Sequence, residues 1–592
     1  MGRMPSNTSP RPPSAGAADH RPADIVVAAS ADVEIREIET DAGPHRNREV
    51  EATAAVGTEV TLTWHVPLGG AVGYWTSRVG RTKTLGVDWG GGTTASLTAE
   101  APAGLLFDAA SRCTHAFAAS ETVTAVTFSM GVSEEHNRIN ASLSFTAGES
   151  STRLRLYPAG DPYEDVLADI AAWWDALDPL GGKGSLPPAI PAAATEPLYS
   201  TWYNMHQQLE QAELDAELVR AADLGMRAVI IDDGWQTTDN QRGYAFTGDW
   251  DVAPSRFPDL PAHVDHTHGL GMAELLWISL PFVGTESAAV REFEHLLLPD
   301  DDRLARLWDV RLPDARHHVA GICRRLVADN HLDGLKIDFI DQWSSYPPTP
   351  TPPGADTDNY TVGVDLLLAE IVTELRAVVE NPLIEFRQHY IGPRMLRYGN
   401  IFRVADCPAN GYQNRVSSVD LRHLIKGRAV HADMVMWAPD DPAEDAAEQL
   451  LCAAFSVPQI SMLIRDLSDD HTSMLRQYLR WWVAHRDVLL NGQVRAARPD
   501  LGYPVVTSVL GQESVSVAYS PDAAIVITTE RANVANATGA DRVLVELPAS
   551  GVLDAVTDSF GASQLGGAVE LPAGVHRVPI PRGGSGLITR TS

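Results

Sequence analysis

Two textures alternate along the chain. From about residue 24 to residue 158, apolar and polar positions alternate in short runs such as Val60-Thr61-Leu62-Thr63-Trp64 and Arg153-Leu154-Arg155-Leu156-Tyr157. A period of two with one apolar face predicts the strands of a β-sandwich. Asp161-Pro162 then opens a helical stretch through Leu177, and the glycines and prolines of 181–191 read as a linker. Between Leu198 and Leu490 the pattern changes to solid apolar strands separated by segments of 3.6-residue periodicity, as in parallel βα units. Eight strands are predicted, over 198–203, 227–231, 273–278, 335–339, 383–388, 401–405, 430–436 and 459–464, with helices that include 209–224, 315–328, 364–379, 443–455 and 468–488. Eight units over roughly 290 residues match a TIM barrel with insertions. About a dozen residues separate the fifth and sixth strands, too few for a barrel helix with its two loops, so a degenerate fifth helix is expected. After Asn491 the alternation returns, as in Val515-Ser516-Val517-Ala518-Tyr519, and predicts a second, smaller β-sandwich.

The predicted fold class is therefore α/β: a disordered tail (1–23), an N-terminal β-sandwich with a linker helix (24–180), a (β/α)8 barrel (192–490) and a small C-terminal β-sandwich (491–592). Charge narrows the ligands. The 592 residues carry 77 acidic and 46 basic side chains, a formal net charge of -31, which would repel nucleic-acid phosphates and anionic lipid heads. No run of about 20 apolar residues predicts a membrane span. The Pro-, Ser- and Ala-rich start lacks the apolar centre of a secretory signal. Cys113, Cys323, Cys407 and Cys452 lie far apart, without the spacing of a disulfide framework or zinc site, so a reducing cytoplasm is the expected compartment.

In such a barrel the chemistry sits where strands end at the C-terminal face. Three apolar strands close on carboxylates. In Ala228-Val229-Ile230-Ile231-Asp232-Asp233-Gly234-Trp235, two adjacent acids, a glycine and an indole follow a wholly apolar run. Asp-Gly is also a hairpin signal, but the uniform run before it reads as a parallel strand covered on both faces. Adjacent carboxylates beside an aromatic ring suit a sugar, whose hydroxyls donate and whose C-H faces stack. In Gly334-Leu335-Lys336-Ile337-Asp338, the strand period puts Lys336 and Asp338 on one face. The pair is either a structural ion pair or a carboxylate kept ionised as a nucleophile requires. In Phe402-Arg403-Val404-Ala405-Asp406-Cys407-Pro408 the proline ends the sixth strand just after Asp406. Asp406 gains meaning from Asp338 two strands away, because glycoside hydrolysis needs two carboxyl groups flanking one bond.

The order Asp-Asp-Gly-Trp, Lys-x-Asp and Arg-x-x-Asp resembles glycoside hydrolase family 36, the α-galactosidase and raffinose-synthase family, as does the sandwich–barrel–sandwich layout. The resemblance implies a retaining, exo-acting α-glycosidase with Asp338 as nucleophile and Asp406 as acid/base. By the same carry-over Asp232 and Asp233 hold the C4 and C6 hydroxyls of a galactose-like ring, and Lys336, Trp235, Trp202 and Arg403 line the pocket. The chain departs from the family at the fifth strand, where Glu385-Phe386-Arg387-Gln388-His389-Tyr390 replaces a Cys and glycine run near C2; Arg387 is expected to line the pocket there. Ile340 stands where an Asn is frequent, and the third strand ends in Trp277-Ile278-Ser279 without an acidic pair.

No cofactor or metal is expected, since two carboxylates suffice. His266-Thr267-His268 has a metal-binding form but precedes the third strand, at the barrel's other face. Along the seventh strand Asp433 and Trp437 are candidates for the pocket wall, while Trp481-Trp482 reads as helix packing. The expected partner is an α-glycoside or oligosaccharide, and a homo-oligomer would suit the family. A transglycosylase, an α-N-acetylgalactosaminidase and an inactive sugar-binding protein are the alternative functions.

Overall fold

The computed structural model describes residues 25–38, 47–80, 83–300 and 305–590; the predicted tail lies outside them. The N-terminal region forms two facing antiparallel sheets of five and six strands. The strand Glu59–Val66 shows the alternation at work: Val60, Leu62, Trp64 and Val66 are buried while the residues between them are not. The helix Tyr163–Leu177 (α1) follows, buried along one side.

Eight parallel strands then form the barrel: β1 (Leu198–Ser200), β2 (Ala228–Ile231), β3 (Ala273–Ser279), β4 (Gly334–Asp338), β5 (Leu383–Arg387), β6 (Ile401–Arg403), β7 (Ala429–His431) and β8 (Gln459–Ile460). Pairing runs from β7 through β1 to β8 in one sheet. Single parallel bridges, His431 with Val457 and Val435 with Ile460, close it. All eight expected strands form. The fifth helix is reduced to a 3-10 turn, Pro393–Arg397, as the short spacing requires.

Chain segments beyond the pattern complete the barrel. A hairpin, Phe282–Gly284 with Ala305–Leu307, is inserted after β3. The helix Gly411–Leu424 (α2) follows β6, and its polar sequence still buries Val419, Leu421 and Leu424. The 23-residue helix Asp469–Asn491 (α3) leads out of the barrel into sheets of seven and three strands. One continuous apolar core includes Trp75 from the N-terminal sheets, Leu335 from the barrel and Val515 from the C-terminal sheets. Among the described residues no helix is long and apolar enough to cross a membrane.

Candidate active site

The strand ends bring the predicted carboxylates to one rim. Asp338 is the last residue of β4, and Phe339 beyond it takes a left-handed φ of 63°. That turn folds the Phe339 N–H back onto Asp338 Oδ1 at 2.7 Å. The same oxygen accepts from Arg387 Nε at 2.7 Å and from the Tyr390 hydroxyl at 2.6 Å, while Oδ2 accepts from Trp277 Nε1 at 3.1 Å. Burial alone would raise this carboxyl, but the Arg387 and Lys336 charges and the Tyr390 hydroxyl hold it far below the ordinary carboxylate range. Asp338 is thus a buried carboxylate that stays ionised. Arg387 is the largest single contributor to that field. Lys336, two residues before Asp338, instead donates to Asp232 Oδ2 at 2.6 Å.

Asp232 and Asp233 extend from β2. The Asp232 N–H donates to Thr201 Oγ1, and the Asp233 N–H donates to Asp232 Oδ1 at 2.9 Å. Gly234 follows with a φ of 122°, and a Cβ there would stand 2.6 Å from Gln207 Cα. Only glycine lets Gln207 approach closely enough to donate to Asp233 Oδ2 at 2.7 Å. Gln236 donates to Oδ1 at 2.6 Å. Burial and the neighbouring Asp232 charge nevertheless push the Asp233 carboxyl up to about 6.

Asp406 lies just past β6 with 54% of its side chain exposed. Arg403, almost wholly buried, donates to its Oδ1 at 2.8 Å and also ion-pairs with Asp433. Burial opposes ionisation, but Arg403, Lys336 and Arg387 together lower the Asp406 carboxyl. Arg387 and Arg403 are register partners on β5 and β6, about 5 Å apart as neighbouring strands are. Each arginine holds one carboxylate, so Asp338 and Asp406 are tied to neighbouring positions of the rim although β4 and β6 do not pair.

Other expected residues fall differently. Trp202, in a one-turn helix after β1, is half-buried at the rim with the Arg242 guanidinium 5.4 Å from its ring centre. Trp235, expected in the pocket, is wholly buried; its N–H donates to the Trp277 carbonyl and its ring stacks on Trp250. It packs inside the molecule against Trp277 and Trp250 and is not exposed at the rim. Trp437 is buried against His471. His266 and His268 occupy the helix Leu260–Gly269 before β3, where His268 Nε2 pairs with Asp333. Among the described residues no group of three or more His, Cys, Asp or Glu is arranged to hold a metal ion.

Several residues at the site have no pattern in the sequence that singles them out. Tyr390 sits in an irregular loop, and Gln207 follows a one-turn helix. Trp277 had a signal: it lies two residues before the end of β3, on the inward face with Ser279, and in register with Lys336.

The fold is a parallel eight-stranded barrel flanked by β-sheets, with Asp338 at the end of β4 and Asp406 just past β6 on its C-terminal rim. Residues 193–379 match the melibiase family model. Alpha-galactosidase 2 of Pediococcus pentosaceus is 27% identical over 147 residues, which cover 24% of this chain and 20% of that protein. Alpha-galactosidase Mel36A of Lactobacillus acidophilus is 27% identical over 154 residues, again 24% of this chain and 20% of that protein. The match thus spans about a fifth of the length of these curated relatives. The fold similarity is wider: a family 36 α-galactosidase, AgaA of Geobacillus stearothermophilus, in complex with raffinose, superposes with a TM-score of 0.63 at 14% identity, covering 94% of this chain and 81% of that one. The α-galactosidase of Lactobacillus brevis gives 0.62 at 12% identity, covering 96% and 86%.

Proposed function

We propose that the protein is a retaining, exo-acting α-glycosidase that removes an α-linked galactose-like residue from an oligosaccharide or other α-glycoside. The observation that carries this is the asymmetry of the two carboxylates. Asp338 is buried, four times hydrogen-bonded and held ionised, which suits a nucleophile. Asp406 stands half-exposed on the same rim, where a departing oxygen and then a water have access, which suits an acid/base. In the first step Asp338 attacks the anomeric carbon as the glycosidic bond breaks and Asp406 gives its proton to the leaving oxygen. In the second, Asp406 takes a proton from water, whose oxygen displaces Asp338. Asp232 and Asp233 accept from ring hydroxyls, with Lys336 keeping Asp232 in place. The relative in complex with raffinose supports an oligosaccharide substrate. Four unpaired cysteines suit a reducing compartment such as the cytoplasm.

Azide separates the two roles. In Asp338→Gly, azide replaces the carboxylate, attacks an activated α-glycoside directly and inverts once, giving the β-azide. In Asp406→Ala, Asp338 still forms the β-linked glycosyl enzyme from an activated aryl substrate, and azide inverts it again to the α-azide. Product anomers assigned by NMR check this; the same anomer from both variants overturns the roles.

A further inference from the structure

A general acid works best when its pKa lies near the working pH, yet Arg403 donates to Asp406 from 2.8 Å. Something must offset that cation. Asp433 lies two residues beyond β7 and is wholly buried. Its Oδ1 pairs with Arg403 Nη1, and its Oδ2 accepts from the Tyr203 hydroxyl at 3.0 Å and the Cys407 N–H at 2.6 Å. Asn414 fixes its backbone from both sides, donating to the Asp433 carbonyl at 3.0 Å and accepting from its N–H at 3.1 Å. Asp433 therefore grips both the charge partner of Asp406 and the peptide that follows Asp406.

We propose that Asp433 is a positioning residue for the acid/base: it shares the Arg403 guanidinium, so that Asp406 is aimed by that cation yet gives up its proton less readily than beside an unshared Arg403. The proposal rests on Asp406 being the acid/base. The charged and titratable groups that act on Asp406 are Arg403 from β6, Lys336 from β4, Arg387 from β5, and Tyr203 and Asp433. Glu385 on β5 faces Arg403 from below, with Oε1 3.6 Å from Nε. Asp433 is the anion that meets Arg403 on the nitrogen next to the one serving Asp406. An uncharged group there leaves the guanidinium with one fewer anion, favours ionised Asp406 and moves the basic limb of activity to lower pH.

The test is the pH profile of kcat/KM for Asp433→Asn on an unactivated oligosaccharide and on a nitrophenyl α-galactoside. The expected result is a basic limb displaced downward by about one pH unit, hence about tenfold lower activity above the limb, with the loss concentrated on the substrate whose leaving group needs a proton. Asp433→Glu, which keeps the charge, should restore the limb. Because a lone Arg403 can impair folding, Arg403→Gln with Asp433→Asn removes both charges together. There Asp406 is freed from its direct cation, and the limb should move upward. A uniform loss at every pH and on both substrates in Asp433→Asn, or a downward limb in the double variant, overturns the proposal. Asp406→Ala serves as the control. If it keeps the wild-type basic limb, the acid/base assignment itself fails; if it abolishes the limb while Asp433→Asn leaves it in place, only the role of Asp433 fails.

Discussion

Asp233 shows how one residue can set a pH limit for the whole site. It accepts from two glutamine amides yet lies buried beside Asp232, and burial with that like charge lifts its carboxyl to about 6. Asp338 stays ionised far below that value. Of these two carboxylates Asp233 is thus the first to be protonated as pH falls, and its protonated form is expected to accept a sugar hydroxyl less well. The acid limb of kcat/KM should lie near pH 6 and be carried by KM, and Asp233→Asn should flatten it while weakening binding at neutral pH by about 1.5 to 3 kcal/mol. A limb below about pH 4, or one that survives the substitution, would assign it elsewhere. The four rim carboxylates were legible in the sequence because each closes an apolar strand. Tyr390, Gln207 and the clasp of Asp433 on Arg403 were not, because they depend on which loops the closed barrel brings together. The trio of Lys336, Asp338 and Asp232 was half legible: the spacing placed the lysine on the right face, but only the closed barrel assigns it to Asp232.

Elements were more legible than contacts. The eight barrel strands are dense in apolar residues, and a parallel strand buried on both faces has to be so; their starts agree with the structure to within a residue or so. Helix α2 escaped the pattern because its buried set includes Asn414, Ser417, Ser418 and Asp420, polar side chains satisfied only by tertiary partners. The close packing of β4 against β5 rests on one small residue. Gly334 pairs with Leu383, and a Cβ there would lie 1.8 Å from the Leu383 carbonyl oxygen. Backbone cannot swing aside as a long side chain can. Gly334→Ala should therefore part the two strands, with an overpacking cost of about 1 to 3 kcal/mol. Since β4 carries Asp338 and β5 carries Arg387, kcat should fall further than stability alone accounts for. Denaturant unfolding together with kinetics at a temperature where the variant is folded checks both; wild-type values in each would show that the strands tolerate the methyl group.

At the scale of the whole molecule, the sequence separates the barrel from its flanking sheets but does not reveal what joins them, since the joining groups lie hundreds of residues apart. Asp420 on α2 is the centre of that joint. Its Oδ1 accepts from Trp75 Nε1 of the N-terminal sheets at 2.8 Å and from the Tyr503 hydroxyl of the C-terminal region at 2.6 Å. Its Oδ2 pairs with Lys83 Nζ at 2.8 Å, and both side chains are buried. Lys83 also donates to the Thr76 carbonyl and lies 5.1 Å from the Trp75 ring centre. A buried ion pair adds little net stability, because desolvation offsets attraction, but removing one partner strands the other charge. Asp420→Ala should accordingly cost about 3 to 5 kcal/mol, whereas adding Lys83→Met should recover most of that loss, since no bare ammonium then remains inside. If the joint couples the three parts, Asp420→Ala should also broaden or split the thermal transition as the flanking sheets release the barrel. Calorimetry of the three proteins decides: a single variant within about 0.5 kcal/mol of wild type, or a double variant no better than the single one, would show that the sheets are held to the barrel by the apolar core alone.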